Sequence, residues 1–270
     1  MLHAILPSFL TYNTADDLTR LGRDHDGGYL ILSADLAASD TLIGLGINDD
    51  WSFERDFAYR KTVAIYAYDA SVYQTYFFQQ ILKAIPRFDK PQKLFYWLKV
   101  WRDYRHFFSA PQHYHIEQFV GLYADDDRHC TFDDVLAKTA SDNIFLKIDV
   151  EGSEYRFLDA LIAHQDRFTG AVIEFHDCDL HLAEIERFVD GFGLKIAHIH
   201  ANNFSPIRAG DRLPLVLEIS FTRQAAFDKA ALGKGALGEE AMGKGAVLPH
   251  PLDQPNDHAA AEIHLEIAES

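Results

Sequence analysis

The fold is decided by residues 41–69, which read TLIGLGINDDWSFERDFAYRKTVAIYAYD. An apolar run at 41–45 leads into a glycine-containing loop, a helix-like stretch at 51–59 and a second apolar run at 62–68. A strand, a crossover helix and a second strand make a βαβ unit, in which the two strands are parallel. This stretch therefore predicts an α/β protein built on a parallel sheet.

The same alternation continues beyond this unit. Helix-like segments are predicted from about Thr131, which is an N-cap candidate, at 153–164, and at 179–189, where Gly191 and Gly193 close the last one. Further strands are predicted at 116–120, 143–148, 170–175, 195–200 and 215–221. These strands and crossovers indicate a mainly parallel sheet.

Three segments are predicted along the chain. Residues 1–223 form the main domain, residues 224–247 a low-complexity Ala/Gly loop, and residues 248–270 an extended, proline-containing tail. Within the main domain, residues 71–115 are strongly aromatic and longer than an ordinary crossover. This aromatic insertion is interpreted either as amphipathic helices packed over the sheet or as a lid or partner surface that presents its rings to a ligand.

Composition restricts the partners of the chain. The 270 residues include 41 acidic and 25 basic side chains, a formal charge of -16, which disfavours nucleic acid and anionic membranes. No apolar stretch is long enough to span a membrane, and the N-terminus lacks the basic flank of a signal peptide. Cys130 and Cys178 have no metal-type spacing, so a soluble, cytoplasmic protein is predicted, and its oligomeric state is left open.

The loop after the first strand, GLGINDD at residues 44–50, predicts the cofactor. It lacks the third glycine of the dinucleotide fingerprint, and Asp49 stands there instead. Asp49 and Asp50 would repel a pyrophosphate but attract the sulfonium and ammonium groups of S-adenosylmethionine. Asp69 ends the second strand, about 20 residues further on, where an acid accepts ribose hydroxyls, although it is also an ordinary strand-ending turn residue. The predicted cofactor-binding residues are Gly44, Gly46, Asn48, Asp49, Asp69, Ala70 and Asp149.

The most specific string in the chain is LKIDVEGSE at 146–154, which resembles the KIDVEGxE signature of the FkbM-type methyltransferases. TFDDVL at 131–136, VIEFHD at 172–177 and HIHANNF at 198–204 also resemble segments of that family, so that the resemblance covers roughly residues 20–219. The first loop departs from it, because GLGINDDW replaces the usual DxGAxxG form.

This resemblance implies the fold and the activity. The expected fold class is α/β, a Rossmann-like methyltransferase fold with a mainly parallel seven-stranded sheet, helices on both faces and an antiparallel last strand. The expected enzyme is an S-adenosylmethionine-dependent O-methyltransferase, and the expected partner is a small-molecule acceptor, a sugar or sugar-containing compound, that is methylated on a hydroxyl.

Catalysis of such a transfer depends on orientation, and a general base can assist a poorly nucleophilic hydroxyl. His176 is the first candidate base, because an imidazole titrates near neutrality and acids flank it in the sequence, although it is also an ordinary strand-end histidine. Asp149, Glu151 and His200 are the other catalytic candidates. Glu174, Asn202 and Asn203 are predicted to bind the substrate, since such groups suit sugar hydroxyls.

Two alternatives are weighed against this hypothesis. The acids and histidines named above, together with Asp177, could hold a divalent cation, but without tight ligand spacing no metal is predicted. The fold could also serve an NAD(P)-dependent oxidoreductase or a non-catalytic nucleotide-binding domain. The DGGY turn at 26–29 either is plain turn chemistry or borders the cofactor.

Overall fold

A seven-stranded sheet lies at the centre of the structure, a computed structural model that describes residues 2–12, 15, 17–86, 91–224 and 248–268. Apart from residue 224, the predicted low-complexity loop lies outside the described residues. In chain order, the strands are β1 (Leu2–Leu6), β2 (Leu18–Leu21), β3 (Tyr29–Leu32), β4 (Thr41–Leu45), β5 (Ala64–Tyr68), β6 (His113–Ile116), β7 (Phe119–Gly121), β8 (His129–Thr131), β9 (Ile144–Ile148), β10 (Phe168–Phe175), β11 (Lys195–Ala201), β12 (Leu217–Thr222) and β13 (Ile263–Ile267). The α-helices are α1 (Ser33–Ala38), α2 (Ser52–Arg60), α3 (Gln74–Ala84), α4 (Pro91–Phe107), α5 (Phe132–Leu136), α6 (Leu158–Ala163) and α7 (Cys178–Gly191).

The strand order identifies the fold. The central sheet runs β6-β5-β4-β9-β10-β12-β11, and only β12 is antiparallel to its neighbours. Numbered by their order within this sheet, the strands read 3-2-1-4-5-7-6, with the seventh inserted antiparallel between the fifth and sixth. This is the predicted Rossmann-like methyltransferase fold with its antiparallel last strand, and the prediction is confirmed.

The strand order also fixes where a ligand can bind. Strand β4 pairs with β5 on one side and β9 on the other, so the chain leaves β4 in one direction and returns to its opposite edge later. Such a reversal opens a crevice beyond the carboxyl ends of the strands. The loops that follow β4, β5, β9 and β10 therefore converge there.

The core lies on both faces of the sheet because successive strand residues point to opposite sides. In β9, the side chains of Ile144, Leu146 and Ile148 enter one buried cluster, while Phe145 enters the other together with Phe57. All five residues of β9 are buried, as expected for a strand that is covered by helices on both faces. This rigid centre holds the adjoining loop at its carboxyl end.

The aromatic insertion forms the helices α3 and α4, as the first of its two interpretations predicted. Phe77 of α3 and Tyr104 of α4 pack edge-on against Trp51, with ring centroids 6.0 and 5.6 Å away. Phe88, which lies between the two helices, is outside the described residues. The aromatic side chains therefore serve mainly to pack this pair of helices on the sheet.

Two predicted elements differ from those in the structure. The strand predicted at 116–120 is wrong, because β6 ends at Ile116, and Phe119–Gly121 instead pairs with β8 in a separate two-stranded sheet. A tight turn in which the backbone N–H of Gln118 donates to the carbonyl of Ile116 divides the two strands. The helix predicted at 153–164 is a 3-10 turn, Glu154–Arg156, followed by α6.

Elements before and after the sheet were not predicted. The hairpin of β2 and β3 carries Tyr29 to the sheet, and β1 pairs in parallel with β13 from the C-terminal tail. Thr131, in contrast, caps α5 as predicted, through reciprocal hydrogen bonds with Asp134. Within the described residues, no helix is both long and apolar enough to cross a bilayer. Both cysteines are free and buried.

Candidate active site

A cleft of about 880 Å³ opens at the carboxyl ends of the sheet strands. Its walls come from the loops after β4, β5, β9, β10 and β11, together with the turn before β3. The turn that contains Asp26 and Gly27 also borders this cleft. The predicted site residues that line the cleft are Gly46, Asn48, Asp49, Asp69, Asp149, Glu151, Glu174, His176 and Asn202.

Four predicted site residues lie outside this lining: Gly44, Ala70, His200 and Asn203. His200 is buried, and its two ring nitrogens face Glu218 at 3.0 Å and Glu262 at 3.3 Å. Burial opposes the protonated form, but these carboxylates outweigh it and raise the pKa of His200 well above its ordinary value. In this arrangement His200 ties β11 to β12 and to the tail, away from the cleft.

Asn203 also serves the tail. Its side-chain amide nitrogen donates to the carbonyl of Asp257 at 3.1 Å, and its amide oxygen accepts from the backbone N–H of Asp257 at 2.7 Å. Ala70 is buried, and its carbonyl accepts from Arg128. The side chain of Asn202, in contrast, reaches the cleft and donates to Glu174 at 2.9 Å.

The loop after β4 needs glycine at position 46. Gly46 has a φ of +79°, and a Cβ atom there would lie 1.7 Å from the carbonyl oxygen of Asp149. Glycine is the residue that adopts this conformation at low cost and permits such an approach. The loops after β4 and β9 therefore touch through their backbones, and Lys147 reinforces the contact by donating to the carbonyl of Gly46 at 2.5 Å.

Asp69 at the end of β5 is tied to two neighbouring loops. One carboxylate oxygen accepts the backbone N–H groups of Ile47 and Asn48 at 3.1 and 2.8 Å. The other accepts the backbone N–H and the hydroxyl of Ser71 at 2.7 and 2.6 Å. The first two hydrogen bonds hold the loop after β4, in which Asn48 adopts a left-handed φ of +42°, against the end of β5, and the other two fix the loop after β5 itself.

Glu54 is a site residue that the sequence analysis missed. It projects from α2 and is buried; a Cβ atom at Gly44 would meet its Oε1 at 2.5 Å, so Gly44 makes room for this carboxyl. That Oε1 has no hydrogen-bond partner among the described residues. Burial raises the pKa of Glu54 to about 7, although nearby Lys147 counteracts part of this effect. The sequence signal was Gly44 itself, which stands where the FkbM-type loop has an acid.

Lys147 and Tyr29 connect the acids at the end of β9. Lys147 lies 3.4 Å from Asp149 Oδ2, and the hydroxyl of Tyr29 lies within hydrogen-bond distance of both Asp149 Oδ2, at 3.1 Å, and Glu174 Oε2, at 2.9 Å. Burial disfavours the charged form of Lys147, but the carboxylates around it prevail and raise its pKa. For Glu174, burial and then the carboxylate of Asp149 raise the pKa well above its ordinary value. Tyr29 and Lys147 were not among the predicted site residues.

His176 stands among carboxylates at the end of β10. Its Nε2 lies 3.6 Å from Glu151, 3.8 Å from Glu174 and 4.0 Å from Asp149. On its other side, Nδ1 lies 3.3 Å from Oε1 of the fully buried Glu154. Burial favours the neutral ring, yet these acids raise the pKa of His176 to about 9. In this state of the protein the ring is protonated at neutral pH, so it would have to lose that proton before it could act as a base.

The charges of the cleft favour a cationic ligand at this end of the sheet. The basic side chains in its lining, apart from histidines, are Arg23, Lys147 and Arg156 among the described residues. The acidic ones are Asp26, Asp49, Asp50, Glu54, Asp69, Asp149, Glu151 and Glu174. Asp50 further accepts the backbone N–H and the hydroxyl of Ser52 at 3.0 and 3.1 Å, so a carboxylate already lies at the N-terminus of α2.

Aromatic side chains stand at the mouth of the cleft. Phe119 and Phe204 both line it and are 41% and 62% exposed. Tyr96 from α4 donates to the carboxylate of Asp49 at 2.6 Å, so the aromatic insertion also contacts the loop after β4. Exposed rings at an opening are typical of a surface that receives a partly apolar ligand.

No protein-family model and no curated protein matches the chain. Among solved structures, a precorrin-6y C5,15-methyltransferase from Geobacter metallireducens is similar, with 12% identity, 78% of this chain and 94% of that chain covered, and a TM-score of 0.36. An rRNA methylase from Streptococcus thermophilus is 12% identical over 71% of this chain and 93% of its own, with a TM-score of 0.38. WbdD is 12% identical over 71% of this chain and 37% of its own, with a TM-score of 0.34. Because these identities and TM-scores are low, the fold assignment rests on the strand order itself.

Proposed function

We propose that this chain is an S-adenosylmethionine-dependent methyltransferase. The observation that carries the proposal is the set of carboxylates around the loop after β4. In a dinucleotide enzyme, a pyrophosphate would sit at the N-terminus of the helix that follows this loop. Here the carboxylate of Asp50 already accepts from Ser52 at that position, and Asp49 lies beside it in the cleft lining.

The residues around the loop after β4 fit the predicted cofactor. Its sulfonium and ammonium groups are positive, and such a cation would favour the ionised form of the buried Glu54, whose Oε1 lacks a hydrogen-bond partner in the described part of the chain. Gly46 permits a close approach of the loop backbone to a ligand. Asp69 was predicted to bind ribose, but both of its oxygens are already engaged, so in this proposal Asp69 instead holds Ile47 and Asn48 in place beside the cofactor.

We further propose that the acceptor is a hydroxyl of a sugar or sugar-containing molecule, and that the chain is FkbM-like. The LKIDVEGSE string supports this, because its acids Asp149 and Glu151 line one part of the cleft. This part, formed by the loops after β9 and β10, is called the β10 end, and the part formed by the loops after β4 and β5 is called the β4 end. Asn202 and Glu174 offer polar groups of the kind that bind hydroxyls, and Phe204 offers an exposed ring. A neutral polar acceptor also suits a cleft that is rich in carboxylates better than a polyanion does.

The chain's own residues would act chiefly by positioning. The bound cofactor would supply an electrophilic methyl group, and in-line transfer requires the acceptor oxygen to be held against it, which can contribute on the order of 7 kcal/mol or more. The loops after β4 and β5 hold one side of this arrangement, and those after β9 and β10 hold the other. The acceptor side contains three of the candidates for the general base: Asp149, Glu151 and His176.

The decisive experiment is a calorimetric titration of the full chain with S-adenosylhomocysteine. We expect saturable binding by the wild-type protein and a large loss in Asp69→Ala, because the loop after β4 loses its two hydrogen bonds to Asp69, and Ser71 loses two more. Asp40→Ala is the matched control, since Asp40 also accepts several side-chain hydrogen bonds but lies at the amino end of the neighbouring strand β4, away from the cleft lining. Its binding of S-adenosylhomocysteine should be unchanged.

Two outcomes would overturn the proposal. Saturable binding of NAD without binding of S-adenosylhomocysteine would favour the oxidoreductase alternative. Absence of binding to either compound by folded wild-type protein would favour the non-catalytic alternative.

A further inference from the structure

One imidazole nitrogen faces three carboxylates without a hydrogen bond to any of them. The distances from His176 Nε2 to the nearest oxygens of Glu151, Glu174 and Asp149 are 3.6, 3.8 and 4.0 Å. These separations exceed the range of a hydrogen bond from a ring nitrogen to oxygen. The groups are therefore gathered but not bonded to one another.

The spacing suits a shared cation. Ligand atoms that bind one Mg²⁺ or Mn²⁺ at about 2.1–2.3 Å lie about 3.0–4.5 Å from one another around the ion. One ligand atom each from Asp149, Glu151 and His176 can be chosen so that all three lie within 4.8 Å of one another.

The imidazole is oriented from behind. Glu154 Oε1 accepts the backbone N–H of His176 at 2.6 Å and lies 3.3 Å from its Nδ1, and the Glu154 side chain is fully buried. A carboxylate at Nδ1 keeps a proton on that nitrogen, so the proton that a cation must displace is the one on Nε2, and its loss leaves the Nε2 lone pair directed at the acids. Metal-binding histidines usually have such a partner.

Asp149 is oriented in the same way. Its Oδ2 accepts from Tyr29 and lies near Lys147, and its Oδ1 is the oxygen that faces His176. The hydroxyl of Tyr29 also lies 2.9 Å from Oε2 of Glu174, and Oε1 of Glu174 accepts from Asn202. Contacts to Oδ2 of Asp149 therefore leave its Oδ1 turned toward His176, whereas both oxygens of Glu174 already have partners and its Oε1 faces His176 as well.

We propose that Asp149, Glu151 and His176 bind one divalent cation of the Mg²⁺ or Mn²⁺ type, with Glu174 beside it. Oxygen donors without a thiolate favour these ions, and the single imidazole is compatible with Mn²⁺ in particular. In the proposed methyl transfer, on which this role rests, the cation binds oxygens of the acceptor and lowers the pKa of a hydroxyl. His176 then serves as a ligand and not as the base.

The test is a titration of the chelator-treated full chain with Mn²⁺, followed by calorimetry and by loss of the free Mn²⁺ signal in electron paramagnetic resonance. We expect one ion per chain, displaced by excess Mg²⁺. Glu151→Gln should weaken Mn²⁺ binding at least about tenfold. This side chain is 87% exposed, so its replacement should leave the protein folded. His176→Gln should weaken binding by at least as much.

Controls separate this site from the acidic surface. His164→Gln removes an imidazole that contacts Asp133 at 2.8 Å outside the cleft lining, and it should bind Mn²⁺ like the wild-type protein. Absence of Mn²⁺ binding by the wild-type chain, or binding that persists in both Glu151→Gln and His176→Gln, would overturn the proposal. The same samples are titrated with S-adenosylhomocysteine, so loss of cofactor binding with an intact Mn²⁺ site would count against the methyltransferase alone.

Discussion

The two ends of the cleft are built from similar residues but in opposite ways. At the β4 end, the carboxylate of Asp69 accepts four hydrogen bonds, none longer than 3.1 Å, from three neighbouring residues. At the β10 end, His176 Nε2 faces three carboxylates, and none comes closer than 3.6 Å. The oxygens of Asp69 therefore find their hydrogen-bond partners within the protein, whereas His176 Nε2 makes no hydrogen bond to the three carboxylates that it faces.

This difference indicates a division of labour. Buried polar groups in folded proteins normally find partners within the protein, so a satisfied carboxylate is part of the framework. A set of groups that is oriented from behind and left unbonded in front is preorganised for something that arrives later. We infer that the β4 end shapes a loop for the cofactor and that the β10 end holds a ligand directly.

The largest effect is expected where the two ends touch. Gly46→Ala places a Cβ atom 1.7 Å from the carbonyl oxygen of Asp149 at a φ of +79°, so one loop must move. We expect a loss of about 4 kcal/mol or more in the free energy of unfolding, measured by urea denaturation, because backbone atoms cannot be repacked like a side chain. Gly210→Ala is the control, since nothing lies within 4 Å of its added Cβ, and it should be nearly neutral. Equal stability of the two variants would break the link between the two ends.

Glu54 differs from Asp69 at the β4 end because its Oε1 has no hydrogen-bond partner among the described residues. The second-largest effect is expected for the pH dependence of stability that this residue causes. Glu54 faces Lys147, Asp50 and Asp149, and burial raises its pKa from 4.5 to about 7. Between these two values the folded chain keeps a proton that the unfolded chain has lost, so this group makes the free energy of unfolding fall as pH rises. The fall amounts to about 3 kcal/mol in all.

Glu54→Gln should remove that fall because an amide does not ionise. We expect the variant to lose about 3 kcal/mol less than the wild-type protein between pH 4.5 and pH 8, measured by urea denaturation at each pH. Glu186→Gln, on an exposed face of α7, controls for the loss of one acid. A pH dependence that is the same in Glu54→Gln and the wild-type protein would show that Glu54 is not held in its neutral form.

Much of this site follows from the sequence because strand ends are local signals. The apolar runs at 41–45 and 143–148 became adjacent parallel strands, so the residues directly after them met in one cleft. Asp149 and His176 were predicted together for the same reason, since β9 and β10 are neighbours.

The site residues that the sequence analysis missed do not follow strands of the central sheet. Tyr29 arrives from a hairpin outside the sheet, and Glu54 arrives from the helix after the loop. Neither position is marked by periodicity, because each depends on tertiary packing: Tyr29 reaches Asp149 and Glu174, and Glu54 packs against Gly44.

His200 shows the opposite error, a predicted site residue that lies outside the cleft lining. It belongs to a correctly predicted strand, but Glu218 of β12 and Glu262 of the tail contact both of its ring nitrogens.

The smallest effects compare the two ends directly. Asp69→Asn replaces one acceptor oxygen by an NH₂ group that must face N–H or O–H donors, so we expect a loss of about 2 kcal/mol in the free energy of unfolding. Glu151→Gln at the other end should change it by less than about 0.5 kcal/mol, since this exposed side chain accepts no hydrogen bond from the described residues. Urea denaturation of both variants, with Mn²⁺ absent, measures the difference. Equal losses in the free energy of unfolding would mean that contacts within the protein also stabilise the β10 end. The proposed division between a structural β4 end and a ligand-binding β10 end would then be wrong.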